Sequence, residues 1–379
     1  MGENGCSIRQ LCKGAREVDV RIPDHMKAVV CRGPNDYRLE EIPVPEVRDG
    51  DVLVKVRACG ICAGDVKCRT GASMFWGDEI QPPYVQPPVV PGHEFFGTVV
   101  ALGKGAKEKH GIDVGDMVTA EQIVPCWECR FCRTGNYWMC QVHDIHGFQR
   151  EAADGGMAEY VRLSERDIIH KVPESITGYT PAIIEPLACA VHTVERAQIK
   201  FGDVVVLGGL GPLGLLKLQL VRLKNPRLII GLDLREKRLK LGKELGADIV
   251  LNPLEEDVVQ RVMELTDGYG CDVYIHATGE PEGVIQGLQM IRKLGTYVEF
   301  SVFTEPTTVD WSIIGDRKEL DMYGAHLSPY TYPLAIDFLV KGMVKGEPLI
   351  THSFPLEEWE AAFAMAAEGT ESVKVVLVP

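Results

Sequence analysis

Two patterns of apolar and polar positions divide the chain. From Met26 to about Ser164, short β-type runs at 27–31, 52–58, 96–102 and 116–120 are broken by Gly and Pro, which predicts strands bounded by turns and a compact β domain. Beyond Asp203, short apolar runs alternate with helical stretches. This alternation predicts βαβ units and a parallel sheet buried on both faces. The predicted strands are 204–208, 228–233, 249–252, 273–278, 296–301 and 321–325. Helices are expected to start near Pro212, Glu236, Asp257 and Glu282, with Leu239, Leu245 and Leu265 facing the sheet. Six strands with crossover helices make a Rossmann-type, doubly wound domain. After Pro333, a helix over 334–341 and a strand over 373–378 are too little for a third domain and are expected to complete the first. A connection at 74–91 holds Phe75, Trp76, Tyr84 and five prolines. It is longer than most structureless loops, and such loops often border a binding site.

Length fits this division, because 379 residues exceed what one hydrophobic core usually serves. With 45% hydrophobic and 25% charged residues, the composition is that of a globular protein. A net charge of −14 repels phosphate backbones and anionic lipid, which argues against nucleic acid and membrane partners. No apolar run approaches the roughly 18–20 residues of a membrane span. Residues 1–25 lack an apolar signal core and are read as an N-terminal extension. Twelve cysteines, clustered in a long chain, point to metal in a reducing compartment, hence the cytoplasm.

Three constellations carry chemistry. Cys126, Cys129 and Cys132 are followed after seven residues by Cys140, and four thiolates can surround one zinc and leave no position open, which makes a bracing site within a lobe at 121–146. Gly209-Leu210-Gly211-Pro212-Leu213-Gly214 follows an apolar strand and opens a helix. The glycines permit a tight turn and close approach of a pyrophosphate to the helix N-terminus. Asp233, nineteen residues beyond Gly214, can accept hydrogen bonds from a ribose 2′-hydroxyl and favours NAD over NADP, although Arg235 and Lys237 lie near enough to receive a phosphate. The third constellation is dispersed: Cys62, Asp65, His93, Glu94 and Glu185. Singly, each reads as well as a buried core residue or a helix start. Together they offer a thiolate, an imidazole and carboxylates, a set suited to catalytic zinc with a fourth position open.

In this order, Gly60-Ile61-Cys62, Gly92-His93-Glu94, the four-cysteine lobe, Glu185-Pro186-Leu187 and the glycine turn resemble the zinc-containing medium-chain alcohol dehydrogenases, in particular their polyol members. Glu185 stands where liver-type members have a second cysteine, as in the sorbitol, threonine and butanediol branches. The stretches 75–79, 121–125 and 309–314 resemble the erythritol/L-threitol branch. The resemblance implies a GroES-like catalytic domain at 26–186 and 327–379 and a Rossmann NAD-binding domain at 187–326. It further implies two zinc ions per chain, with Cys62, His93 and Glu185 or Glu94 at the catalytic one and Asp65 orienting His93. Cofactor contacts would be Thr278 and Gly279 near the adenosine, Val302 and Phe303 near the nicotinamide, and Lys374 near the pyrophosphate. Zinc would act as a Lewis acid on a hydroxyl of a small polyol while NAD takes the hydride, in a homodimer or homotetramer.

At one place the chain departs from that family. The positions of the family's proton-relay hydroxyl and imidazole hold Gly64 and Lys67, so the proton is expected to leave through water beside Gly64 and past Lys67. Two rival readings remain: a threonine 3-dehydrogenase acting on an amino alcohol, and a zinc- and NAD-binding sensor inactivated at Gly64.

Overall fold

The computed structural model describes residues 22–303 and 305–379, so the expected extension lies outside the described residues as far as residue 21. One mostly antiparallel sheet gathers strands from both ends of the chain. Its order is Ile350–Pro355, Lys374–Val378, Val52–Gly60, Glu94–Leu102, Met117–Ala120 and Ile169–Lys171, with Tyr160–Leu163 also on Val52–Gly60. Register sets what this sheet can do: Gly60 pairs with both Glu94 and Val376. Three residues distant in sequence, Cys62, Glu94 and Lys374, are thereby brought to one end of it.

The second sheet is parallel, in the order Ile249–Leu251, Leu228–Leu232, Val204–Gly208, Cys271–His276, Ile291–Glu299 and Asp321–Gly324. In chain order these strands read 3-2-1-4-5-6, the Rossmann arrangement, whose direction reverses beside Val204–Gly208 and opens a crevice at the strand ends. Val204, Val205, Val206 and Leu207 are at most 1% exposed. Burying each such side chain stabilises the fold by roughly 1.5–3 kcal/mol. Helices start at Pro212, Glu236, Val258 and Pro281, close to the expected positions. Among the described residues no helix is long and apolar enough to cross a membrane.

Four features differ from the sequence reading. Pro333 does not precede the helix after the parallel sheet but lies in its first turn, Tyr332–Val340, where a missing N–H costs nothing. A strand, Ile350–Pro355, and a helix, Trp359–Glu368, fill what had been left without elements. Helix Ile184–Arg196 was not expected either: ten of its thirteen residues are buried, and its exposed residues, Glu195 and Arg196, lie at its end. The strand expected at 296–301 runs instead over Ile291–Glu299 and is paired on both sides, so that the open edge of the sheet is Asp321–Gly324.

Candidate active site

A cleft of about 1270 Å³ lies between the two sheets, lined by Cys62, His93 and Glu185 on one side and by Gly209, Gly211 and Asp233 on the other. The long connection borders it through Phe75, Pro82, Pro83 and Tyr84, as its length foretold.

Cys62 caps the short helix Ala63–Arg69. Its Sγ accepts from Gly64 N at 3.4 Å, and Asp65 Oδ2 accepts from Cys62 N at 2.9 Å. His93 and Glu94 open the strand beside it. The donor atoms of Cys62, His93 and Glu94 all lie within 4.8 Å of one another. Asp65 Oδ1 is 3.6 Å from His93 Nδ1, and both atoms are buried without a hydrogen-bond partner. Burial opposes charge on His93, but the Asp65 carboxylate and Cys62 outweigh it and hold the imidazole pKa well above its usual value. Lys374 Nζ donates to Glu94 Oε1 at 2.7 Å and to Ile61 O at 3.2 Å. Glu185 stands apart from this trio in the first helical turn, its Oε1 accepting from Gln122 Nε2 at 2.6 Å and from Cys189 Sγ at 3.4 Å. Burial pushes its pKa up to about 7. A thiol and three carboxylates thus face one lysine and one imidazole. That excess of acidic donors, together with the unpartnered His93 and Asp65 atoms, fits a divalent cation.

The four-cysteine lobe is equally suited to metal. Cys126, Cys129, Cys132 and Cys140 bring their sulfurs within 4.8 Å of one another, with Cys129 to Cys132 at 3.6 Å and Cys126 to Cys132 at 4.0 Å. Tetrahedral bonds of about 2.3 Å require sulfurs about 3.8 Å apart, and all four cysteines are free thiols. The backbone N–H of Gln141 and of Cys132 helps to lower the Cys129 pKa to about 6, which favours the thiolate that a metal needs.

On the nucleotide side, Gly209 has φ +107°, a conformation open to glycine. A Cβ at Gly214 would run into the Gly209 carbonyl, whereas one at Gly211 would meet nothing nearer than Arg238 Nη1 at 3.7 Å. The turn is therefore closed against its own helix and open towards the cleft. Pro212, Leu213 and Thr278 line that opening. Asp233 Oδ2 accepts from Leu210 N at 2.8 Å and Oδ1 from Arg235 N at 2.9 Å, which fixes the carboxylate at the strand end. The Arg235 guanidinium turns to the Glu368 carbonyl, and Lys237 pairs with Glu371. The cation beside Asp233 is Arg238, 3.9 Å away, a residue the sequence reading passed over although it lies one position beyond Lys237.

Lys374, expected near the pyrophosphate, lines the cleft but is 2% exposed and directs its amine to Glu94. Phe303 lies against His276, their rings 5.5 Å apart and tilted by 35°, and is not among the residues that line the cleft. Val302 does line the cleft, and its carbonyl accepts from Lys67 Nζ. Lys67 is thus half-buried between the two sheets, where burial lowers its pKa against the pull of Glu280. Gly279, at φ +74°, leaves no room for a Cβ beside Val302 O and Lys67 Nζ. At Gly64 the nearest atoms to an added Cβ, Cys62 Sγ and the Phe75 ring, are 3.8 Å away, so a methyl would fit there without a clash.

Comparison with known proteins agrees with this architecture. Residues 48–174 match the model of the alcohol dehydrogenase GroES-like domain, and residues 212–341 match that of the zinc-binding dehydrogenases. The chain is 49% identical over 359 residues to the erythritol/L-threitol dehydrogenase of Mycolicibacterium smegmatis, covering 95% of this chain and 99% of that protein. It is 35% identical over 344 residues to the L-threonine 3-dehydrogenase of Pyrococcus horikoshii, covering 90% and 94% respectively. Among solved structures, a zinc-binding dehydrogenase of Sinorhizobium meliloti bound to NADP superposes with a TM-score of 0.84 at 29% identity, covering 94% of this chain and all of that one. With a GroES-like β unit and a Rossmann sheet enclosing one cleft, the chain belongs to the zinc-containing medium-chain alcohol dehydrogenase family.

Proposed function

We propose that this protein is an NAD-dependent dehydrogenase that oxidises one hydroxyl of a small, erythritol- or threitol-like polyol to the ketose. The observation that carries the reading is that the Cys62, His93 and Glu94 cluster and the Gly209 to Asp233 turn open into the same cleft. The name of the 49% identical relative supplies the substrate class.

Cys62, His93 and one of the two glutamates would hold a zinc ion, which would supply Lewis-acid polarisation of the substrate hydroxyl, and the cleft beside Gly209 would hold the nicotinamide cofactor, which would supply the hydride acceptor. Asp65 orients His93 from behind, as metal-binding imidazoles require. Lys374 holds Glu94, and Gln122 holds Glu185. Phe75, Phe148 and Val302 present apolar surface around the reacting carbon. The substrate proton leaves through the space beside Gly64, with Lys67 as the cation on its route. Cys126, Cys129, Cys132 and Cys140 would hold a second zinc ion, which would brace their lobe. Asp233 accepts from the ribose hydroxyls and opposes a 2′-phosphate, which favours NAD although Arg238 lies nearby. The open edge Asp321–Gly324 pairs with a second copy, because exposed strand edges seldom stay bare. The chain acts in the cytoplasm.

The test is a substrate panel: zinc-loaded protein with NAD or NADP, and erythritol, L-threitol, sorbitol, 2-butanol or L-threonine. Fastest NADH formation with a tetritol is expected. A preference for L-threonine would replace this reading with the amino-alcohol one, and no turnover of any compound would favour a sensor.

A further inference from the structure

Lys217 lies in the helix Pro212–Leu223 that the glycine turn opens, and it is wholly buried. Lysine is almost never fully buried unless it is paired, yet this amine has no hydrogen-bond partner among the described residues. What it meets instead is an aromatic face: Lys217 Nζ stands 4.6 Å from the centre of the Phe300 ring, a cation–π contact. The titratable groups that act on it are Glu299, at the end of strand Ile291–Glu299, and Cys189, in helix Ile184–Arg196. Both are engaged elsewhere, Glu299 Oε2 with His276 Nδ1 at 2.8 Å and the Cys189 thiol with Glu185 and Gln122. Burial lowers the pKa of the amine to about 7. It therefore holds its charge in mildly acid solution and loses it in mildly alkaline solution.

The place of this charge follows from what stands in front of it. Phe300 and Cys189 line the cleft, and so does Leu213, four residues before Lys217 and hence on the same helix face. Leu213 belongs to the turn suited to a pyrophosphate, and Cys189 is bonded to Glu185 beside the metal cluster. A nicotinamide that exchanges hydride with a metal-bound hydroxyl lies between those two ends. The amine of Lys217 is thus behind the wall of that space. A nicotinamide ring is cationic when oxidised and neutral when reduced, so a cation behind it opposes the oxidised form alone. In a protein interior such a field is screened much less than in water and acts across an intervening side chain.

Resting on the reading of this cleft as a nicotinamide site, we infer that the buried ammonium of Lys217 weakens binding of NAD relative to NADH and so sets the balance of oxidised and reduced cofactor on the protein. Favouring bound NADH draws the hydride equilibrium on the protein towards the ketose.

The experiment measures the dissociation constants of NAD and NADH for zinc-loaded wild type, Lys217→Met and Lys217→Leu, from NADH fluorescence with NAD as competitor, at about pH 6 and about pH 8.5. Met keeps an unbranched stem without the charge, and loss of an unpaired buried cation is expected to raise the denaturant midpoint. At the lower pH each substitution is expected to tighten NAD about tenfold, the scale of one charge pair screened by protein, and to leave NADH nearly unchanged. At the higher pH, where the wild-type amine has lost its proton, wild type and variants should converge. The wild type alone gives a second reading: its ratio of NAD to NADH dissociation constants should fall as pH rises through about 7, as loss of the buried proton requires. Equal changes for both nucleotides, as a packing role alone would give, overturn the inference and leave the nicotinamide reading intact. So does a difference that persists undiminished at the higher pH, or a wild-type ratio that stays flat. A wild type that binds neither nucleotide overturns the nicotinamide reading, and the inference with it.

Discussion

Gln122 Nε2 lies 2.6 Å from Glu185 Oε1, while its own carbonyl oxygen accepts from Ser328 Oγ at 2.8 Å. The amide orientation is therefore fixed, and this buried side chain decides where the glutamate points. Gln122→Leu should weaken zinc binding at the Cys62 site about 10- to 100-fold, the usual cost of losing a partner behind a metal ligand. Competition with a chromophoric chelator measures it. Unchanged affinity would mean that Glu185 takes no part in holding the metal.

Lys374 and Glu94 form an ion pair in which each is 2% exposed. Removing one partner strands a buried charge, at a cost of about 3–5 kcal/mol. Lys374→Met should accordingly lower the denaturant midpoint, and Glu94→Gln in the same chain should restore much of the loss. Additive damage from the two substitutions would contradict the pairing.

His146 braces the site from behind, Nε2 at 2.5 Å from Asp167 and Nδ1 at 2.8 Å from the Asp154 carbonyl. Burial lowers its pKa, but Asp167 outweighs that and the net shift is upward from 6.5. A raised folded-state pKa contributes stability that is complete below the unfolded value of about 6.5 and is lost as pH rises through the folded value. The difference in thermal midpoint between wild type and His146→Gln should therefore shrink as pH rises above about 6.5. A difference independent of pH would mean that the imidazole is neutral throughout.

Asp233 sits at the strand end with both oxygens accepting backbone N–H groups. Asp233→Ser should weaken NAD binding and reduce discrimination against NADP, as removal of the carboxylate from the 2′ position requires. Arg238, 3.9 Å away, then becomes available to a phosphate. Binding isotherms for both nucleotides check this, and a wild type that already prefers NADP would refute the assignment.

The parallel sheet was legible because its strands are short apolar runs separated by helices, and the glycine turn because its spacing is local. The four-cysteine lobe was legible for the same reason: its ligands lie within fifteen residues. What the sequence concealed depends on long-range register. Lys374 meets Glu94 only because Lys374–Val378 and Glu94–Leu102 both flank Val52–Gly60, and nothing near Lys374 in the chain announces a carboxylate. Gln122 was noticed as part of a family-like stretch, yet its bond to Glu185 spans 63 residues. The pairing of His143 with His326 spans 183. Helix Ile184–Arg196 was hidden for a different reason, since ten of its thirteen residues are buried and its exposed residues, Glu195 and Arg196, come only at its end.

Metal content is the most direct measure of the account, because its central claim is that two separate donor sets serve two zinc ions and that only one of them does chemistry. Elemental analysis of the wild type should give two zinc ions per chain, and Cys62→Ala should give one, with tetritol-dependent NADH formation lost and the fold retained. A single zinc in the wild type, unaltered by Cys62→Ala, would contradict the account.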